Sequence, residues 1–128
     1  MRLDSARVLA ASGVLLALAA LLGALGTHAL RGQLSAEHLG AFLTANRYQY
    51  FHSLGLLGVG LAMRDNRSPL LRWVVWLLVT GILIFCGTIY AVALGAPALL
   101  GALTALGGVL LMAAWIFFAW TLWQARVR

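Results

Sequence analysis

The chain has 128 residues, 63% of them hydrophobic and only 9% charged, with a net charge of +6. Soluble domains run near about 45–50% and about 25%, so a water-soluble globule is excluded and an integral membrane protein is implied. All nine basic residues are Arg, and they mark the ends of apolar runs instead of forming a patch, which excludes nucleic acid as a partner and fits the positive-inside rule.

Between Arg7 and Arg31 lie 23 residues without a charge. A run of about 20 apolar residues crosses a bilayer, so the first span is predicted at residues 8–30. It exceeds the roughly 7–15 residues of a signal-peptide core. It is therefore read as an uncleaved span, although Ala24-Leu25-Gly26 resembles a cleavage pattern. Ala10, Gly13, Ala17, Ala20 and Ala24 recur at steps of three and four. That spacing keeps them on one helical face, where a neighbouring backbone can come close. This stripe is the predicted helix-packing seam, continued by Gly87 and Ala91 further on and by Gly101 and Gly108 near the end.

A polar stretch follows Arg31. Ser35 is a good N-cap, with Glu37 in the first turn beyond it, so a helix begins there as an interfacial turn and enters the second span, residues 42–63. Arg64-Asp65-Asn66-Arg67-Ser68-Pro69 is a polar turn. The 53 uncharged residues between Arg72 and Arg126 hold two more spans. Gly95-Ala96-Pro97 divides them, because Pro lacks the amide donor and disfavours helix before it. They are predicted at residues 73–94 and 99–123. Cys86, the one cysteine, lies within an apolar run and is read as a buried small residue.

Seven arginines (2, 7, 64, 67, 72, 126 and 128) fall on one side of this arrangement, against Arg31 and at most Arg47 on the other. Both termini are therefore predicted to be cytoplasmic. Trp73, Trp76, Trp120 and Trp123 sit at the same ends, where indoles anchor.

Few polar side chains enter the hydrocarbon. Arg47 and Arg64 enclose 16 residues, about 24 Å of helix against a core of about 30 Å. His52 then lies about 12 Å below the outer boundary. His28 and Tyr90 lie about 4–5 Å deep, with Thr88 between those levels and His52. Polar residues in lipid are costly and suggest function by default. Ala45, Tyr48, Gln49, His52 and Leu56 are assigned to one face of the second span, with Arg47 turned away to reach head groups or Glu37. Two readings stand at this point. His28, Tyr48, Gln49, His52, Thr88 and Tyr90 form a ligand or interaction pocket open to the outside, or they bond to carbonyls and hydroxyls across helices. The difference in depth between His28 and His52 argues against a metal or haem pair, which needs two His at one level, and no cofactor is expected. With neither Asp nor Glu in any span, paired-carboxylate catalysis is not expected either.

Several stretches resemble a known family. Gly23-Ala24-Leu25-Gly26-Thr27-His28-Ala29-Leu30 resembles its GAFGAHAL element. Residues 42–54, FLTANRYQYFHSL, are similar to F-x-T-A-x-x-Y-Q-x-x-H-A-L, and residues 81–90, GILIFCGTIY, to G-x-x-L-F-S-G-S-L-Y. Leu106-Gly107-Gly108 with Trp115 echoes its last elements. This is the domain-of-unknown-function 423 family, with YgdD-like and YwdK-like bacterial members and the eukaryotic transmembrane protein 256. Cys86, Ala105 and Ala114 depart from its usual Ser, Pro and Gly. The resemblance implies a four-span inner-membrane protein, carries no activity, and points to His28, Thr44, Tyr48, Gln49, His52, Gly87 and Tyr90.

The expectation is thus an all-α integral membrane protein: one domain, residues 1–128, forming a four-transmembrane-helix bundle in the bacterial inner membrane. Its expected role is an accessory or scaffold protein, with membrane lipid, a larger membrane complex or a second copy as partner. The alternative is a small transporter or channel subunit.

Overall fold

A computed structural model describes residues 3–127, with side chains to residue 126. Arg2 and Arg128 of the arginine count lie outside the described residues. The fold is all-helical. Its four long helices are α1 (Ser5–Ala24), α2 (Ala36–Asp65), α3 (Pro69–Ala93) and α4 (Gly101–Val127). Three helical stretches, Ser5–Ala29, Pro69–Ala93 and Ala98–Arg126, are long and apolar enough to cross a membrane. α2 carries Glu37, Arg47, Arg64 and Asp65 and is more polar than the others.

The helix ends follow local chemistry. Asp4 accepts a hydrogen bond from the Arg7 amide at the start of α1, and Ser35 accepts one from the His38 amide at the start of α2. Ser68 caps α3, whose first residue is Pro69, a position where the missing N–H is no loss. α3 stops before Gly95, whose φ of +107° is a conformation that only glycine adopts without cost. Pro97 then opens a single 3₁₀ turn, Ala98–Leu100, leading into α4.

α1 does not continue as an α-helix to residue 30. It passes into a π-helical turn, Leu25–Ala29, closed by Leu30 N–H donating to the Leu25 carbonyl at 3.0 Å. The turn buries Gly26 against Phe42, where an added Cβ would come within 2.9 Å of the ring.

Helices adjacent in sequence make the main interfaces: α1 on α2, α2 on α3, and α3 on α4. The shared core holds Val8, Leu56, Val59, Leu71, Val74, Leu78, Ile82 and Cys86, with Leu111 and Ala114 of α4. The seams differ from the predicted stripe. Ala10, Gly13, Ala17, Ala20 and Ala24 are all exposed, and α1 instead turns Val8, Ser12 and Ala19 inward. On α3 and α4, Gly87 and Gly101 are exposed and would have open space around an added Cβ, while Ala91 is half-buried. Gly108 meets only the Phe85 ring, at 3.7 Å. The close approaches are Gly81 against Leu111 and Gly107 against Phe85. The physical reason is that α1 has small residues on more than one face. The polar side chains of α2 choose which face docks.

A direct consequence is testable. Nothing lies within 4 Å of a Cβ added at Gly13 or Gly87, so Gly13→Ala and Gly87→Ala are expected to raise stability by about 0.5–1 kcal/mol through helix propensity. Cys86 is buried and is the one cysteine, so reaction of its thiol with a fluorogenic dye on heating in detergent reports unfolding. A lower melting temperature for Gly13→Ala would mean that this face packs against something after all.

Candidate functional site

The polar residues inside the bundle form a zipper between α1 and α2. Ser5 Oγ donates to the Gly60 carbonyl at 2.6 Å. Ser12 Oγ donates to the Ser53 carbonyl at 2.7 Å. Gln49 Nε2 donates to the Leu15 carbonyl at 3.0 Å, and Asn46 Nδ2 to the Ala19 carbonyl at 2.7 Å. Rungs rise along α1 as they descend along α2, the constant register of an antiparallel pair. Residues 46, 49, 53 and 60 are three, four and seven apart, so they share one face of α2.

α3 joins at the Asn46–Gln49 level. Tyr90 Oη donates to Gln49 Oε1 at 2.8 Å and lies 3.4 Å from Asn46 Nδ2, and its ring sits 4.8 Å from that of Phe42. Both amides are nearly enclosed, with Asn46 8% and Gln49 4% exposed. In an apolar medium an unpaired amide is costly, and here each finds a partner. Gly23 faces Asn46 so closely that an added Cβ would lie 2.9 Å from Oδ1.

A second cluster lies on the neighbouring flank of α2. His52 Nδ1 accepts from Trp115 Nε1 at 3.1 Å. That bond assigns the ring proton of a neutral His52 to Nε2. Trp115 packs against α2 at Gly55, where an added Cβ would clash with the edge of its indole ring. Tyr48 lies beside Phe85, with ring centroids 5.0 Å apart, and 6.0 Å from His52. On the α3–α4 seam, Thr88 and Thr104 hydroxyls are 2.5 Å apart, and Thr88 also donates to the Ile84 carbonyl.

The six residues assigned to one pocket therefore do not converge. Gln49 meets Tyr90, Tyr48 meets His52, and Thr88 meets Thr104. His28 is exposed in the π turn, and no hydrogen bond or ring contact links it to the others among the described residues. The cause is helical geometry. Tyr48 and Gln49 are one residue, 100°, apart, so Gln49 points to α1 while Tyr48 points to α3. Arg47 and Thr44 are exposed, and Thr44 bonds back to the Gly40 carbonyl. Arg47 forms no ion pair with Glu37 among the described residues. Sequence reasoning missed Asn46, Ser12 and Trp115 as partners. Asn46 was within reach, since its three-residue spacing from Gln49 puts both on one face.

At the other end of the bundle two grooves flank Pro69. One, of about 510 Å³, is lined by Asn66, Arg67, Ser68, Leu70, Thr121 and Gln124 among others. The second, of about 520 Å³, is lined by Leu3, Pro69, Arg72, Trp73 and Trp76. No group of three His, Cys, Asp or Glu converges as a metal site among the described residues.

Long apolar helices with a buried polar zipper define a small helical membrane protein. The chain belongs to the DUF423 family, described as a protein of unknown function, whose model matches residues 22–108. It is 42% identical over 94 residues to the UPF0382 membrane protein SSP2132 of Staphylococcus saprophyticus, covering 73% of this chain and 78% of that one. The UPF0382 membrane protein YwdK of Bacillus subtilis is 35% identical over 85% of this chain and 88% of its own length. The UPF0382 inner membrane protein YgdD of Escherichia coli K12 is 36% identical, over 73% and 72%. No solved structure matches. The glycines of the GALGTHAL stretch take on a physical meaning here, as Gly23 and Gly26 admit Asn46 and Phe42.

Proposed function

We propose that this chain is a four-span accessory protein of the bacterial inner membrane, with both termini cytoplasmic, whose bundle associates with lipid or with a larger membrane complex. The observation carrying this reading is the engagement of its interior polar groups, the buried Ser53 hydroxyl excepted. Asn46, Gln49 and Ser12 bond to backbone carbonyls, and Tyr90 to Gln49. Groups held in this way tie helices together and are not free to strip a solute of its water.

Connectivity supports the fourth span. α1 and α3 both have the length and composition to cross, and the start of α1 lies beside the end of α2 through the Ser5–Gly60 bond. α2 has to return the full height of the bundle to join the far end of α1 to the near end of α3. Arginine distribution supports the orientation. Arg7, Arg64, Arg67, Arg72 and Arg126 gather at one end, and Arg31 and Arg47 at the other. The name of the relative YgdD, an inner membrane protein, supports the location.

One observation favours a second reading, a small transporter or channel subunit. Tyr48 is 41% exposed and half-buried His52 lies beside it, so a polar pair borders the outer half of the bundle. Reconstituted vesicles separate the two. The first reading expects solute leakage no greater than in protein-free vesicles, with lipid retained through purification. Leakage abolished by Tyr48→Phe or His52→Ala would overturn it in favour of the second. Orientation is checked in a Cys86→Ser background, where thiols placed at Ser68 and Pro97 are expected to label from opposite compartments.

A further inference from the structure

We propose that the groove between the N-terminal segment and the start of α3 binds an anionic phospholipid, with Arg72 holding the phosphate and Trp73 and Trp76 flanking the glycerol and upper acyl chain. This rests on the reading of the chain as a lipid-associated bundle and names the lipid class and the site.

The groove is built by two elements. Ser5 fastens the beginning of α1 to Gly60 at the end of α2, which brings Leu3 against the first turns of α3. α3 buries Leu71, Val74, Val75 and Leu78. Arg72, Trp73 and Trp76 are thereby turned outward, with Trp73 62% and Trp76 53% exposed. Trp73 and Trp76 are three apart and so neighbours on the helix surface, with Trp76 one turn deeper along the membrane normal. The walls combine apolar Leu3 and Pro69, two indoles with N–H donors, and one guanidinium. That combination matches the chemistry of a phospholipid near its head. A guanidinium fork suits phosphate, an indole suits the boundary between ester groups and chains, and aliphatic carbon suits an acyl chain.

Charge complementarity selects an anionic lipid. Arg7, Arg64, Arg67, Arg72 and Arg126 face two acids at this end, Asp4 and Asp65, among the described residues. Asp4 is already engaged, capping α1 and lying 3.7 Å from Arg7. Arg72 forms no ion pair with either acid among the described residues. The cytoplasmic leaflet, where this end is proposed to sit, is the anionic one.

The test uses the full chain with Trp120→Phe and Trp123→Phe, leaving Trp73, Trp76 and Trp115. It is reconstituted in phosphatidylcholine vesicles containing a minor fraction of brominated phosphatidylglycerol or of brominated phosphatidylcholine. Bromine quenches indole on contact. Per mole, brominated phosphatidylglycerol is expected to quench about five-fold more strongly, the preference that one arginine near the surface supplies. Arg72→Gln should reduce that ratio several-fold, the other arginines at this end keeping a residual preference, with Arg47→Gln at the opposite end leaving it unchanged. High salt should also reduce the ratio in the unmutated arginine background, which keeps the test valid if Arg72→Gln folds poorly. Equal quenching by the two lipids, or a preference that Arg72→Gln leaves undiminished, overturns the proposal. Either failure without solute leakage leaves the accessory reading standing. Solute leakage overturns that reading whatever the quenching shows.

Discussion

Gly107→Val is expected to separate α4 from α3 and to lower stability by about 3 kcal/mol. A Cβ at Gly107 would lie 2.5 Å from the Phe85 backbone nitrogen, 2.8 Å from its Cα and 2.9 Å from its Cβ. Backbone atoms inside a helix cannot rotate aside, so the helices themselves must move. In lipid little hydrophobic drive holds helices together, and close van der Waals contact carries the association. Moving α4 outward also strains the Thr88–Thr104 bond and the contact between Gly81 and Leu111. The adjacent glycine is the control. A Cβ at Gly108 meets only the edge of the Phe85 ring, at 3.7 Å, ordinary contact, so Gly108→Ala should be tolerated. The readout is the temperature at which Cys86 becomes reactive in detergent. Equal melting of Gly107→Val and Gly108→Ala would mean that the α3–α4 crossing is not as close as described.

Asn46→Asp is expected to destabilise by about 3 kcal/mol, and Asn46→Leu by about 1 kcal/mol. Asn46 Nδ2 donates to the Ala19 carbonyl, and the side chain is almost fully enclosed. Leucine removes that bond and leaves Tyr90 with Gln49 alone, a loss of the size measured for interhelical bonds in membranes. Aspartate does more damage at nearly the same volume. Ionised, it replaces the donor with an acceptor facing a carbonyl oxygen and brings a charge into hydrocarbon; to donate as the amide does, it must first take up a proton. Arg47→Gln, one residue away but exposed, should stay within about 0.5 kcal/mol. The ordering Asp, then Leu, then the Arg47 control in the Cys86 melting assay is the prediction. Aspartate tolerated as well as leucine would show that Asn46 faces water or head groups and not α1.

The two substitutions probe features of different legibility. Asn46 and Gln49 could be placed on one face of α2 by counting, and a polar face in an apolar bundle turns toward another helix. Their acceptors could not be counted, because every residue of α1 carries the same carbonyl. Gly107 and Gly108 are indistinguishable as letters, yet 100° of rotation separates a backbone approach from ordinary ring contact. The small-residue stripe of α1 illustrates the same difficulty. Ala10 to Ala24 had the right period, but Ser12, Ala19, Gly23 and Gly26 form another small-residue track beside it, and that one received α2. The π turn at Leu25–Ala29 left no mark in the spacing of charges.

What this sequence determines by itself is one-dimensional: where apolar runs begin and end, where Ser35, Ser68, Gly95 and Pro97 stop or start a helix, and to which end the arginines fall. Those properties depend on transfer of side chains between water and lipid and on local backbone hydrogen bonding, both of which are read residue by residue. The tertiary structure alone decided which side of each helix meets which neighbour, and so divided the polar residues into a buried zipper, a Tyr48–His52 flank and an exposed His28. A helix that is oily all round has no preferred inward side until a partner's donors and contours choose one.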